Sequence, residues 1–313
     1  MPIRVVFFGN SATVFSARHF YALVDTPADL VAVVDVPPHR RGSSNPATDD
    51  RPSFVEVARQ RGIPAYEPAS PNDPVFVAAA KKLKPDLFIA AGYILILKED
   101  ILWVPRLLSA NFHASLLPDY RGKHPVFWAL RNGEAWAGLT VHAMDPGIDT
   151  GDILYQVKVR TRRDDTVASL YDRIMDRSVT LVGHLIEDAA ADNIPRRPQP
   201  KGEGAYYSST TEDDFRVDWH CSAERIRRMI TVTPGQCFGD INGQRVFFLD
   251  ARVERKEVAA SPGTLLRLGR TRALVAAGDG CVSIGWVRVE QGRAGSLVDL
   301  CHCLGLSPGD CLA

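Results

Sequence analysis

Apolar and polar positions follow two distinct rhythms along the first half of the chain. IRVVFFG, residues 3–9, is an apolar run closed by Gly9, the pattern of a strand buried on both faces. From Thr13 to Leu23 the apolar residues recur at helical spacing. LVAVVDV predicts a second buried strand stopped at Pro37 and Pro38, and a polar loop runs from His39 to about Pro52. FVEVARQRG predicts a helix closed by Gly62, and IPAYEP a short strand. PVFVAAAKKLKPD predicts a helix closed by Pro85, LFIAAGY another strand, and ILWVPRLLSANFHAS ends in a further one. This alternation predicts an α/β fold, a parallel sheet covered by helices and joined by right-handed crossovers. In such sheets ligands sit beyond the carboxyl ends of the strands, so polar residues just after strands are the candidates for chemistry.

The rhythm changes near residue 190. DNIPRRPQPKGEGAYYSS is rich in Pro, Gly and charge, has no periodicity, and reads as a linker. Beyond it AERIRRMI predicts a short helix, and VFFLDARVE, GTLLRL, RALVAAG and CVSIGWVRVE are strand-like runs separated by turns, suggesting a small antiparallel barrel. The expected division is an α/β domain at 1–189, a linker at 190–205 and a β-rich domain at 206–313.

Composition narrows the class. The 313 residues are 45% hydrophobic and 24% charged, values that exclude a disordered or fibrous chain. Lys+Arg and Asp+Glu are 37 each, so the overall basic excess of a dedicated nucleic-acid binder is missing, while a local basic patch stays open. No run approaches the roughly 18 apolar residues of a membrane-spanning helix, and the start does not read as a signal peptide. Six cysteines are too sparse for a disulfide scaffold, which points to a reducing cytoplasm. Cys301, His302 and Cys303 lack the two-residue gap of a zinc knuckle, and no metal is expected.

A dinucleotide site fails at the first turn. Gly9 after the first strand and Asp35 at the end of the second imitate one, but Asn10, Ser11, Ala12, Thr13 and Val14 follow where more glycines are needed. Gly9 then reads as a tight strand-to-helix turn.

The chemistry concentrates between residues 111 and 156. Asn111 and His113 are two apart and on a strand point to the same side, so an amide donor and an imidazole converge. SLLPDYRG follows as a loop pinned by Pro118 and Gly122; LTVHAMD is a strand; PGIDTGD is a tight loop holding Asp149 between Gly147 and Gly151. Imidazole, carboxylate and amide suit acyl transfer to an amine, which needs a proton removed from nitrogen and an oxyanion stabilised. A carboxylate beside His113 is expected to orient its ring and raise its pKa.

This stretch resembles the signature of the 10-formyltetrahydrofolate-dependent formyltransferases, N-x-H-x-S-L-L-P-x-Y/W-R-G followed by G-x-T-x-H-x-x-D-x-G-x-D-T-G-D. The match includes Asn111, His113, Ser115, Leu116, Leu117, Pro118, Tyr120, Arg121 and Gly122, then Gly138, Thr140, His142, Asp145, Gly147, Asp149, Thr150, Gly151 and Asp152. The VVFFGN start, AAGYILIL and RVDW extend the likeness over nearly the whole chain, towards the methionyl-tRNA formyltransferase branch and its relatives. The resemblance implies a Rossmann-like catalytic domain and a C-terminal domain like an open OB-fold barrel. It implies that Asn111 binds the formyl oxygen, that His113 assists proton removal, and that Asp149 holds the His113 ring. It places 10-formyltetrahydrofolate, the formyl donor, against Ala91, Gly92, Tyr93 and Ile94 and the Asp145–Asp149 loop, its pterin on backbone groups, with Leu116 and Pro118 lining the cleft.

Ser115, Arg121 and His142 are candidate acceptor-binding residues with alternatives open. Ser115 could brace its loop. Arg121 could bind an anionic acceptor or pack on Asp119 or a backbone carbonyl. His142 could be a satisfied core histidine, and Tyr93 and Trp128 plain core.

Within the resembled family the acceptor varies. The loop VPPHRRGSSNPATDDRPS keeps His39, Arg40 and Arg41 but adds Asp49 and Asp50, unlike the basic loop of the tRNA enzymes. T-V-H-A-M-D and YRGKHPVFWALRNGE are more similar to the small-molecule enzymes, and PGQ at 234–236 departs from the P-x-P-G-A of many relatives. The favoured acceptor is a small amine, a nucleotide amino sugar or an amino-acid-derived amine such as hydroxyornithine. Initiator methionyl-tRNA is the alternative, and a formyltetrahydrofolate hydrolase or non-catalytic folate-binding protein a further one. Arg225, Arg227 and Arg228 read as a solvated helix face rather than a phosphate contact. The apolar tail around Leu297–Leu306 fits barrel core or a dimer surface, and the sequence fixes no oligomeric state.

Overall fold

The structure is a computed structural model and describes residues 1–41, 52–200, 202, 204–254 and 259–312. The first strands are β1 (Arg4–Gly9), β2 (Asp29–Asp35), β3 (Ala65–Tyr66), β4 (Leu87–Ala91) and β5 (Leu108–His113). They are followed by β6 (Arg121–Gly122), β7 (Trp136–Ala143), β8 (Ile153–Arg160) and β9 (Tyr206–Tyr207). Seven of these form one sheet in the order β3-β2-β1-β4-β5-β7-β8. From β3 to β5 every pairing is parallel, as the strand–helix rhythm predicts. Beyond β5, where the strand–helix rhythm ends, the sheet becomes mixed: β5–β7 and β7–β8 pair antiparallel. β7 leads into β8 through a short loop, and only antiparallel neighbours can be joined so briefly.

The parallel strands are sealed by apolar side chains on both faces. Phe7, Phe8, Leu87, Phe88 and Ile89 are buried almost completely, each worth about 1.5–3 kcal/mol relative to exposure. Phe7 meets Phe20 and Phe54 edge-on, both ring centroids at 5.5 Å. The helix Val14–Val24 is capped by Thr13, whose hydroxyl accepts from the Ser16 N–H, and Phe54–Gln60 starts with a Ser53–Glu56 capping box.

Gly9 corrects the turn explanation given above. It has no positive φ; a Cβ there would meet the Phe7 ring at 2.7 Å and the Phe54 ring at 3.1 Å. Aromatic packing excludes a side chain. Asp35 is wholly buried, bonded by the Ser11 N–H and hydroxyl, the Val36 N–H and Arg41, so its carboxylate is satisfied within the protein.

Two compact units are distinguished. Met1–Pro125, Trp136–Arg160 and Tyr171–Tyr207 form one; Val126–Ala135, Thr161–Leu170 and the chain from Ser208 form the other. Within the stretch read as a linker Arg197 bridges Ile153, and β9 just beyond it pairs with β6.

In the second unit, β10 (Phe238–Ile241), β11 (Gln244–Phe248), β12 (Ala251–Glu254) and β13 (Leu265–Leu268) are followed by β14 (Ala273–Ala277), β15 (Gly280–Ile284), β16 (Trp286–Val289) and β17 (Ala294–Ser296). They make two antiparallel sheets, β10-β11-β16-β17 and β12-β15-β14-β13, with one core containing Trp219, Ile226, Phe248, Val275 and Val282. Leu297, Val298 and Cys301 join that core, with Leu300, Leu304 and Leu306 against it, so the apolar tail is core. The solvated-face reading fails at Arg227. That residue is buried, its guanidinium bonded to Glu224 and to the Arg163 carbonyl; Arg225 is exposed as expected.

Candidate active site

Asn111 and His113 stand at the end of β5, on the same side of the strand, because residues two apart share a face. The antiparallel register puts His142 of β7 directly opposite Asn111 and Thr140 opposite His113. A third polar side chain thus enters from a neighbouring strand. Asn111 Nδ2 lies 3.2 Å from His142 Nε2 and 3.3 Å from Asp149 Oδ1.

Two loops complete the cluster. In the first, the Thr140 hydroxyl donates to the Ser115 carbonyl at 2.7 Å and accepts from the Leu117 N–H at 3.1 Å. The Ser115 hydroxyl donates to the Asp119 carbonyl at 2.7 Å, the bracing role left open by the sequence. This brings the Tyr120 carbonyl to 2.8 Å from His113 Nε2. A carbonyl only accepts, so Nε2 carries a proton and Nδ1 of the neutral ring keeps its lone pair. By the same logic His142 Nδ1, 2.9 Å from the Ala143 carbonyl, donates.

In the second loop Asp149 adopts φ +54°. This left-handed conformation is uncommon outside glycine, and Asp is among the residues that tolerate it. The flanking glycines serve close approach rather than φ: a Cβ at Gly147 would sit 2.0 Å from the Thr150 hydroxyl, and one at Gly151 1.9 Å from the Ala143 carbonyl. Asp145 accepts from Thr150 Oγ1 at 2.6 Å and from the Gly147 N–H at 3.1 Å, so it shapes the loop. The Asp149 carboxylate then faces three partners. Oδ2 is 3.6 Å from His113 Nδ1 and accepts from the Gly122 N–H at 2.9 Å; Oδ1 is 3.2 Å from His142 Nε2.

Burial and charge oppose each other here. Desolvation alone pushes the Asp149 pKa up, but the positive charge that the His113 and His142 rings carry when protonated, together with the Gly122 N–H, outweighs it and holds the carboxyl well below the usual range. At His113 the balance goes the other way. The expected upward shift from a neighbouring carboxylate is real, yet desolvation exceeds it and the pKa lies below that of a free imidazole. The result is a neutral, basic imidazole beside a fixed anion at pH 7.

The remaining candidates divide. Among the described residues Arg121 makes no ion pair with Asp119 and no side-chain bond to a carbonyl; Nη2 donates to Gln199 Oε1 at 2.8 Å, and Nε is buried without a hydrogen-bond partner. Gln199 was assigned no role by sequence reasoning. Its Nε2 donates to the Asp149 carbonyl at 2.9 Å and the Gly151 carbonyl at 2.7 Å.

Ala91 is buried at the end of β4. Gly92 opens the next loop at φ +71°, where a Cβ would strike Ser16 Oγ at 2.7 Å. Tyr93 sits against Phe8, ring centroids 5.3 Å apart, with a buried hydroxyl that has no partner among the described residues. Ile94 and Ile96 are exposed. The backbone of Tyr93, Ile94 and Leu95 makes no turn or loop hydrogen bond among the described residues, so donors and acceptors remain for a flat heterocycle beside apolar side chains. Leu117 is buried, and the Leu117–Pro118 peptide is cis. A Cβ at Gly138 would lie 2.6 Å from Leu116 Cδ2, which ties Leu116 to β7.

Residues 3–184 match the family model described as formyl transferase, and residues 210–302 match the one described as formyl transferase, C-terminal domain. The chain belongs to the formyl transferase family. A methionyl-tRNA formyltransferase of Pseudomonas fluorescens is 32% identical over 302 residues, 96% of this chain and 92% of that protein. One of Pseudomonas paraeruginosa is 33% identical over 301 residues, 95% of each. Among solved structures, the N-formyltransferase of Helicobacter canadensis, in complex with folinic acid and dTDP-3-aminofucose, superposes with a TM-score of 0.67 at 17% identity, covering 91% of this chain and 99% of that one. HypX of Aquifex aeolicus gives a TM-score of 0.58 at 20% identity, covering 96% of this chain and 49% of that one. At these identities the structures establish likeness of fold. Formyl transfer is thus the chain's enzymatic class.

Among the described residues no group of three His, Cys, Asp or Glu side chains is placed to hold a metal ion, and no helix is long and apolar enough to cross a membrane. Cys301 is buried while His302 and Cys303 are exposed.

Proposed function

We propose that this formyltransferase moves the formyl group of 10-formyltetrahydrofolate onto an amine of its acceptor by direct attack. The observation that carries the proposal is the convergence of Asn111, His113 and Asp149 at the end of β5, with a neutral His113 whose Nδ1 lone pair faces the carboxylate. Ala91–Ile94, Leu116, Pro118 and Asp145 would hold the folate, which supplies an activated formyl group when bound. The reaction joins the amine nitrogen to the formyl carbon, releases the donor nitrogen and moves one proton between them. His113 Nδ1 takes the amine proton, the imidazolium is stabilised by Asp149, and the proton passes on to the leaving nitrogen. Asn111 Nδ2 answers the negative charge growing on the formyl oxygen.

Two acceptors have support. A small amine, sugar-linked or amino-acid-derived, is favoured by the balance of 37 basic and 37 acidic residues, since binding a polyanionic tRNA relies on phosphate neutralisation. The burial of Arg227 removes one candidate phosphate contact. Ser115 and Arg121 border that acceptor's approach, and His142 lies beside Asn111. Methionyl-tRNA is favoured by the names of relatives 32–33% identical over about 95% of the chain. The loop 39–52, whose weak basic character entered the sequence reading, lies outside the described residues from 42 to 51.

The deciding experiment follows tetrahydrofolate release from 10-formyltetrahydrofolate by the purified chain. Parallel reactions contain buffer, initiator methionyl-tRNA, or a panel of nucleotide amino sugars and amino-acid-derived amines. Release with a small amine only supports the first reading, and release with methionyl-tRNA only supports the second. Release in buffer alone identifies a hydrolase and overturns amine transfer.

A further inference from the structure

We propose that Gln199 is a positioning residue of the formyl transfer site, acting through Asp149. The proposal rests on the reading of Asp149 as the partner of His113. Gln199 lies 50 residues beyond Asp149 in the chain, yet its amide N–H groups bond the carbonyls of both Asp149 and Gly151. One carbonyl belongs to the left-handed residue itself and the other lies two residues further on, so one side chain holds the turn as it leaves the residue that carries the carboxylate. The amide cannot rotate away, because Arg121 Nη2 donates to its oxygen. Gln has donor and acceptor on one plane; an acid lacks the donors and an amine lacks the acceptor.

The same segment is anchored on both sides of Gln199. Arg197 exchanges backbone hydrogen bonds with Ile153 at 2.8 and 2.9 Å. Its guanidinium reaches Gln156 Oε1, while Gln156 Nε2 donates to the Leu117 carbonyl. On the other side the Arg121 N–H donates to the Ala205 carbonyl at 3.0 Å, and a Cβ at Gly204 would strike the Pro118 carbonyl at 2.0 Å. Residues 197–199 and 204–207 therefore touch the loop that carries the His113 acceptor carbonyl and the loop that carries Asp149. Gln199 is the member whose bonds end on the catalytic residue's own backbone.

The consequence is mechanistic. The carboxylate is useful only at its distances from His113 Nδ1, His142 Nε2 and the Gly122 N–H. Releasing the turn lets Asp149 leave the left-handed region, which its backbone does not favour, and the carboxylate moves away from both rings.

The test uses Gln199→Ala and Gln199→Glu in the full chain, each also in an Asp149→Asn background. The first readout is nuclear magnetic resonance titration of the imidazoles of His113 and His142, which needs no acceptor. The expected result is a His113 titration displaced towards that of Asp149→Asn, with little change in melting temperature. The second readout, with the acceptor identified above, is kcat and KM. The expected loss is about 10–100-fold in kcat, with KM of the amine changed less than about threefold. In the Asp149→Asn background the loss should shrink below about threefold, because the residue through which Gln199 acts is already disabled. Wild-type titration of both histidines in Gln199→Ala overturns the proposal. So does an equal loss of kcat in both backgrounds, which would mark a general structural role. Absence of activity in every wild-type reaction would count against the functional reading, and the titration would still decide the role of Gln199.

Discussion

Asp149→Asn isolates the charge in the site while nearly preserving its shape. The carboxylate Oδ2 lies 3.6 Å from His113 Nδ1, and both side chains are about one-tenth exposed. At an effective dielectric of about 20, attraction between the anion and the imidazolium formed during proton transfer is about 4–5 kcal/mol. This is a ceiling, because the asparagine amide restores part of the interaction and the Gly122 N–H can still be accepted by its oxygen. One decade of rate corresponds to about 1.4 kcal/mol, so kcat should fall between about 100- and 1000-fold. Substrate binding should change little, since the charge interaction grows only as the amine loses its proton. The assay is single-turnover release of tetrahydrofolate across pH 5–9, with the acceptor identified as above. Losing Asp149 should also lower the already depressed His113 pKa further, moving the acid limb of the rate profile to lower pH. A variant within about threefold of wild type, with an unshifted acid limb, would refute the partnership.

Asn111→Ala should lose at least about 100-fold in rate if the amide stabilises charge on the formyl oxygen; near-normal turnover would sink that role. Thr140→Val removes a buried hydroxyl that bonds the Ser115 carbonyl and the Leu117 N–H, and should cost about 1–3 kcal/mol in urea unfolding. His19 is wholly buried, its Nδ1 donating to the Phe15 carbonyl and Nε2 bonded to Ser178, and desolvation lowers its pKa from 6.5 to about 4. The unfolded chain therefore binds the extra proton first as pH falls. His19 should cost nothing above about pH 6.5 and remove about 3 kcal/mol of stability by pH 4. Urea unfolding of wild type and His19→Gln at pH 7.5 and 4.5 should show this loss in wild type and its absence in the variant. Equal pH dependence in both would refute it.

The fold and the shared face of Asn111 and His113 were legible because local chemistry specifies them. Buried parallel strands write themselves as continuous apolar runs, and the two-residue spacing of Asn111 and His113 fixes their common face. The antiparallel attachment of β7 and β8 was not legible, because a buried strand reads the same in either direction. Gln199 escaped for a different reason. It lies in a Pro- and Gly-rich stretch without periodicity, and its function is carried by bonds to backbone carbonyls, which leave no pattern of partner residues. Arg227 escaped because an arginine on a polar helix face looks solvated until its carboxylate and carbonyl partners are placed around it. The pKa of His113 was misjudged because sequence supplies the neighbouring charge but not the depth of burial that outweighs it.

The hydrogen bonds around Asn111 constrain how the site can work. With His142 neutral, its Nδ1 proton is committed to the Ala143 carbonyl and its Nε2 accepts. Asn111 Nδ2 then spends one N–H on His142 and the other on Asp149, and no donor is left for a formyl oxygen. Contact with that oxygen requires one of these bonds to be given up. A proton on His142 Nε2 would achieve this, because a ring protonated there would donate to Asp149 Oδ1, 3.2 Å away, and could not accept from Asn111. The two arrangements would differ by one proton. On the proposed mechanism His142 would have a chemical reason to stand opposite Asn111 that an inert core histidine lacks, and the carboxylate would serve two rings at once, stabilising positive charge on His113 and providing the acceptor that lets His142 release the amide.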